Sequence, residues 1–106
     1  MNVDATELHT SVLLSLQRAL VGEVTPNMRA VSAEWSEKMI HIYVYVDGQV
    51  DAEAKEEFDA VVVTQVVADF PYPDIADPMV NVEFIRYDAP AKLKCRGEIV
   101  YARKES

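Results

Sequence analysis

Histidine, cysteine and clustered carboxylates are the side chains of this 106-residue chain with the ordinary chemistry of catalysis or metal binding. Their spacing assembles none of the usual devices. His9 and His41 are the only histidines, the first ahead of a helical stripe and the second within an alternating stretch that reads as a strand. Cys95 stands between Lys94 and Arg96, cations that would favour a reactive thiolate. A reduced thiol in a basic loop is the plainer reading, and a lone cysteine forms neither an internal disulfide nor a cysteine-based metal cage. Gly22, Gly48 and Gly97 are too dispersed for a phosphate loop, and G-x-S-x-G is absent. The acids from Asp47 to Asp59 miss the spacing of a calcium loop, because Gly48 would fall at its second position. His41, Glu83 and Tyr101 would share a sheet face, but no second acid-base pair accompanies them. The chain therefore reads as a non-enzyme with no cofactor or metal implied.

What the carboxylates do offer is charge. Asp47, Asp51, Glu53, Glu56, Glu57, Asp59, Asp69, Asp74 and Asp77 face Lys55 alone, so this stretch carries the whole net charge of −8. From Arg86 to Lys104 the balance reverses, with Arg86, Lys92, Lys94, Arg96, Arg103 and Lys104 against Asp88 and Glu98. An acidic surface repels phosphate backbones and attracts cationic proteins, so a protein partner is expected and nucleic acid is not. Such charge also serves solubility. No apolar run approaches the roughly 20 residues of a membrane helix, and Met1-Asn2-Val3-Asp4 lacks the basic start of a signal peptide. A cytoplasmic protein without membrane contact is the expectation.

The elements that position these residues follow from periodicity. Met39 to Val46 alternates Ile40, Ile42, Val44 and Val46 with Met39, His41, Tyr43 and Tyr45, which makes an interior strand with two unlike faces. Upstream, Asp4 and Glu7 form a capping box and Val3 and Leu8 a hydrophobic staple. Leu8, Val12, Leu16 and Leu20 continue an amphipathic helix that ends at Gly22. Arg29 to Trp35 is a short strand, turned through Ser36-Glu37-Lys38 into the Ile40 strand. Residues 51–70 hold no Gly or Pro, gather acids in their first turns, and place Ala54, Phe58, Val61, Val62 and Val66 at helical spacing. That pattern predicts a helix despite the β-branched Val61-Val62-Val63. Pro71, Pro73 and Pro78 make a stiff connection, and strands follow over Met79 to Tyr87 and Gly97 to Arg103.

One α+β domain over residues 1–106 is the expected result: a two-layer sandwich of αββαββ order, with a four-stranded antiparallel sheet built from two hairpins and both helices on one face. The other face, bearing His41, Tyr43, Tyr45, Asn81, Glu83, Tyr87, Tyr101 and Arg103, would meet water or a partner. Several strings then stand together: Leu16-Gln17-Arg18-Ala19-Leu20, Gly22-Glu23-Val24-Thr25-Pro26-Asn27, Arg29-Ala30-Val31, Tyr45-Val46-Asp47-Gly48, Ala68-Asp69-Phe70-Pro71 and Gly97-Glu98-Ile99-Val100-Tyr101-Ala102-Arg103-Lys104-Glu105. They resemble a group of short bacterial proteins, some of which look like immunity proteins of contact-dependent growth inhibition and related polymorphic toxin systems.

The resemblance implies a partner, a cognate toxin domain, and carries no site residues of its own. Combined with the charge, it suggests an acidic immunity protein that occludes the toxin's active site, a nuclease with a basic cleft being the natural target. The acids from Asp47 to Asp77 named above would make the contact, with Trp35, Tyr43 and Tyr45 as anchors if the sheet face takes part. A self-associating structural or adaptor protein, dimeric through the tyrosine face or an open sheet edge, is the alternative.

Overall fold

The computed structural model describes residues 5–36, 39–69, 79–89 and 91–103. Their order is α1 (Ala5–Leu20), β1 (Met28–Trp35), β2 (Met39–Val46), α2 (Ala52–Ala68), β3 (Met79–Arg86) and β4 (Glu98–Ala102), the αββαββ order expected. The capping box and staple fall on residues 1–8 and the proline-rich connection on 70–78, outside the described side chains.

The sheet order is β3-β2-β1-β4. β1 and β2 form the antiparallel hairpin, with Val31 opposite Val44 and Ala33 opposite Ile42. β3 corrects the antiparallel expectation, because it runs parallel to β2 in unbroken register from Met39↔Met79 to Val46↔Arg86. The cause lies in α2. Its 17 residues rise about 25 Å at 1.5 Å per residue, the length of an eight-residue strand, and so return the chain to the end where β2 began. A strand starting there must run alongside β2 in the same direction. Nor do β3 and β4 form a second hairpin: residues 91–97 lie on the way across the sheet, and β4 pairs antiparallel with β1 at the far edge.

Ile40, Ile42, Val44 and Val46 of β2 join Val31 and Ala33 of β1 beneath Val12, Leu16, Ala19 and Leu20 of α1 and Phe58, Val62 and Val66 of α2. Both helices thus cover one face, as expected. Full burial of an aliphatic side chain of this kind contributes about 1.5–3 kcal/mol, which lets packing override the weak helix preference of the α2 valines. Asp51 caps α2, its carboxylate accepting the Ala54 N–H at 2.7 Å, an interaction worth about 1 kcal/mol.

The opposite face is not open. Tyr43 and Tyr45 are buried with Ala30, under Ile85, Tyr87, Leu93 and Cys95. The crossing segment is pinned there by the Arg96 N–H, which donates to the Tyr45 hydroxyl at 2.7 Å, and by the Arg96 guanidinium 5.8 Å from the centre of the Tyr43 ring. The Tyr43 hydroxyl donates to Glu34 at 2.7 Å, a bond that, followed by desolvation, raises the phenol's pKa. Tyr101 is also placed differently from the expectation, since it sits opposite Val31 and packs against the helix-side core.

Two devices close the structure. Gly97 has φ +68°, and a Cβ there would come 2.2 Å from the Ala33 carbonyl oxygen. Between β3 and the β2–α2 turn, Asp88 accepts the Gly48 N–H at 2.7 Å and Asp47 accepts the Ala89 N–H at 3.3 Å. The Arg86 guanidinium, and then the Gly48 N–H, hold the Asp88 carboxyl below its usual range.

Gly97→Ala is expected to destabilise the protein by about 2–4 kcal/mol, from left-handed strain and displacement of the β1 carbonyl, read as a lower urea midpoint at unchanged slope. Because the folded Asp88 carboxyl titrates below its unfolded value of about 3.9, its stabilisation is complete above that pH and is lost as pH falls through the folded value. Asp88→Asn should therefore flatten the acid limb of stability against pH, and parallel limbs for the two proteins would remove this contribution.

Candidate partner-binding surface

The capping of α2 by Asp51 and the burial of Phe58, Val62 and Val66 fix which way the other side chains of that helix point. Glu53, Glu56, Glu57 and Asp59 are exposed on its first two turns. None of the four makes an ion pair with a described residue.

Two hollows flank this acidic turn. One, of about 360 Å³, lies between the N-terminus of α2 and the Gly22–Met28 connection, with Glu23, Asp51 and Glu57 around Val50, Phe58 and Phe84. The other is an open groove of about 350 Å³ between α2 and β3, lined by Lys55, Glu56, Asp59, Val82, Glu83 and Phe84. The Lys55 ammonium lies 5.9 Å from the centre of the Phe84 ring, and Phe84 meets Phe58 edge-on at 5.4 Å between centroids. Apolar walls with carboxylates at the rim suit the stem and head of a lysine or arginine.

The remaining acids of the charged stretch have structural occupations. Asp47 lies 3.6 Å from the Arg103 guanidinium besides accepting from Ala89. Asp69 follows the last turn of α2, accepts the Ser15 hydroxyl at 2.8 Å and lies 3.4 Å from the Arg18 guanidinium, so it ties α2 to α1. Asp74 and Asp77 lie outside the described residues. Among the described residues the charged stretch is thus not one surface: Glu53, Glu56, Glu57 and Asp59, with Asp51 at the cap, form the exposed part.

The aromatic candidates do not assemble into an anchor patch. Tyr43 and Tyr45 are 4% and 1% exposed beneath Ile85, Tyr87, Leu93 and Cys95. Trp35 is half-buried on the helix side of the sheet, its ring 5.6 Å from that of His9. His9 in turn lies 2.7 Å from the Glu98 carboxylate.

The groups considered for catalysis are likewise separated. His41 stacks on Tyr43 at 4.4 Å, with its Nε2 3.5 Å from Glu83, whereas Tyr101 sits on the opposite face. Burial pushes the Cys95 thiol above its ordinary pKa, with the Arg29 guanidinium pulling the other way, so the activation suggested by Lys94 and Arg96 does not arise. Among the described residues, no group of three or more His, Cys, Asp or Glu side chains is placed to hold a metal ion. No helix there is long and apolar enough to cross a membrane.

The sequence reading did not single out Glu23, Val82 or Phe84 for the surface. Glu23 belongs to a turn, and the other two are ordinary strand hydrophobics whose place beside α2 depends on the parallel pairing of β3. No curated protein matches the chain. The model of the MafI2 immunity protein family matches residues 9–105, nearly the whole length. A match over that much of the chain places it: the chain belongs to the MafI2 immunity protein family.

Proposed function

We propose that the protein neutralises a cognate bacterial toxin domain by laying the acidic turn of α2 across the toxin's cationic active site. The observation that carries this reading is the difference among the carboxylates. Asp47 and Asp69 are used by the fold, while Glu53, Glu56, Glu57 and Asp59 are exposed without a described cationic partner.

Unpaired charge of one sign on a rigid element costs folding free energy by self-repulsion. That cost is recovered when a positive surface docks, and the long-range field speeds the encounter. A nuclease fits the description, because its cleft is built to hold phosphates and a row of carboxylates can occupy the same cations. Its substrate lies inside the cell, so the reading implies a cytoplasmic encounter. The inhibitor needs no catalytic group, only shape and charge held in place.

Binding to the toxin domain of the adjoining reading frame, measured across a salt series from about 0.05 to about 0.5 M, should show association slowing by about tenfold or more. The triple reversal Glu53→Lys, Glu56→Lys, Glu57→Lys should abolish protection of cells while leaving the unfolding free energy from urea titration within about 1 kcal/mol of the parent. Salt-insensitive binding that survives the reversal would remove the electrostatic reading.

A further inference from the structure

The two edges of the sheet are treated differently. β4 has five residues, a register shift against β1 between Val31 and Ser32, and Arg96 and Arg103 at its ends. Shortness, irregularity and charge are the usual means by which an edge strand is kept from pairing with another chain. β3 is neither short nor irregular, and the charges it carries are Glu83 and the terminal Arg86. Its eight residues, Met-Val-Asn-Val-Glu-Phe-Ile-Arg, contain no Pro, Gly or Lys, and they keep regular register with β2 throughout. No described residue pairs with its outer side.

Beside that edge runs the groove of Glu56, Asp59 and Glu83, floored by the half-buried Val82 and Phe84. The chain's own Lys55, part of the groove wall, holds its ammonium 5.9 Å from the centre of the Phe84 ring. A strand set beside β3 would place alternate side chains toward the acids of α2 and the others beside Asn81 and Glu83.

We propose that the outer edge of β3 takes up an extended, lysine- or arginine-bearing segment of the toxin as a fifth strand of the sheet. The inference rests on the immunity reading above and adds its mode of contact. Main-chain hydrogen bonds to β3 supply affinity, and the carboxylates on either side select basic residues at alternate positions. A second copy of this chain suits the edge poorly, because pairing β3 with β3 would bring Glu56, Asp59 and Glu83 of both copies together.

Hydrogen exchange of the full chain, alone and with the catalytically inactivated toxin domain of the adjoining reading frame, tests this directly. Amides within 79–86 should gain at least about tenfold protection in the complex. Val82→Pro and Glu83→Pro give a second measurement, since neighbouring strand amides point to opposite edges. One of these variants should break the ladder to β2 and unfold, while the other folds and binds at least about tenfold more weakly.

A complex that forms with exchange in 79–86 unchanged, or undiminished binding by the folded proline variant, overturns the docking mode and leaves the immunity reading standing. No complex at all overturns both. Protection that rises with the protein's own concentration in the absence of toxin makes a second copy the occupant and also overturns the proposal.

Discussion

The Tyr45 hydroxyl is deep inside the protein, and a buried phenol needs a partner. It accepts the Arg96 N–H at 2.7 Å and lies 3.5 Å from the Ser32 hydroxyl, so loss of the Arg96 bond would leave the buried phenol with that long contact alone, at about 1–3 kcal/mol. That constraint fixes the course of residues 91–97 over the sheet. The segment must lie flat against β2 for the amide to reach, and in doing so it lays Leu93 and Cys95 over Tyr43, Tyr45 and Ala30. It also delivers the chain to β1 at the point where Gly97 alone tolerates the Ala33 carbonyl. β2 is thereby buried on both sides, aliphatic against helices and aromatic against the crossing segment.

This double burial explains where recognition can occur. With one face committed to α1 and α2 and much of the other covered among the described residues, the outer side of α2 and the edge of β3 are where the proposed contact finds charge and backbone together. They adjoin because β3 runs parallel to β2, which sets Val82 and Phe84 beside the first turns of α2. The described titratable groups considered for chemistry are scattered over different faces, while four exposed carboxylates, Glu53, Glu56, Glu57 and Asp59, gather on the first turns of α2.

Much of this was legible in the chain and some was not. Periodicity located all six elements to within a few residues, and the run of acids identified the charged helix. Alternation, however, reports that a strand has two faces without saying what covers the second. The hint lay in Lys92-Leu93-Lys94-Cys95-Arg96, where apolar and basic residues take turns as they do in a segment lying on a surface. Strand neighbours were hidden for a related reason. Hydrophobic pattern reports burial and not adjacency, and only the length of α2 betrayed that β3 would return parallel to β2. Composition could not separate Asp47 and Asp69, held by the fold, from the exposed glutamates, because each differs from them only in what the chain brings near.

The far pairing of β4 has a consequence for how the molecule is made. Ala30 meets Ala102 across about seventy residues of chain, a closure whose entropy must be met before its hydrogen bonds form. Such high contact order slows folding, and until closure β1 remains an uncovered template for another chain. A net charge of −8 keeps half-folded copies apart during that interval, so the carboxylates guard against aggregation before they ever meet a partner.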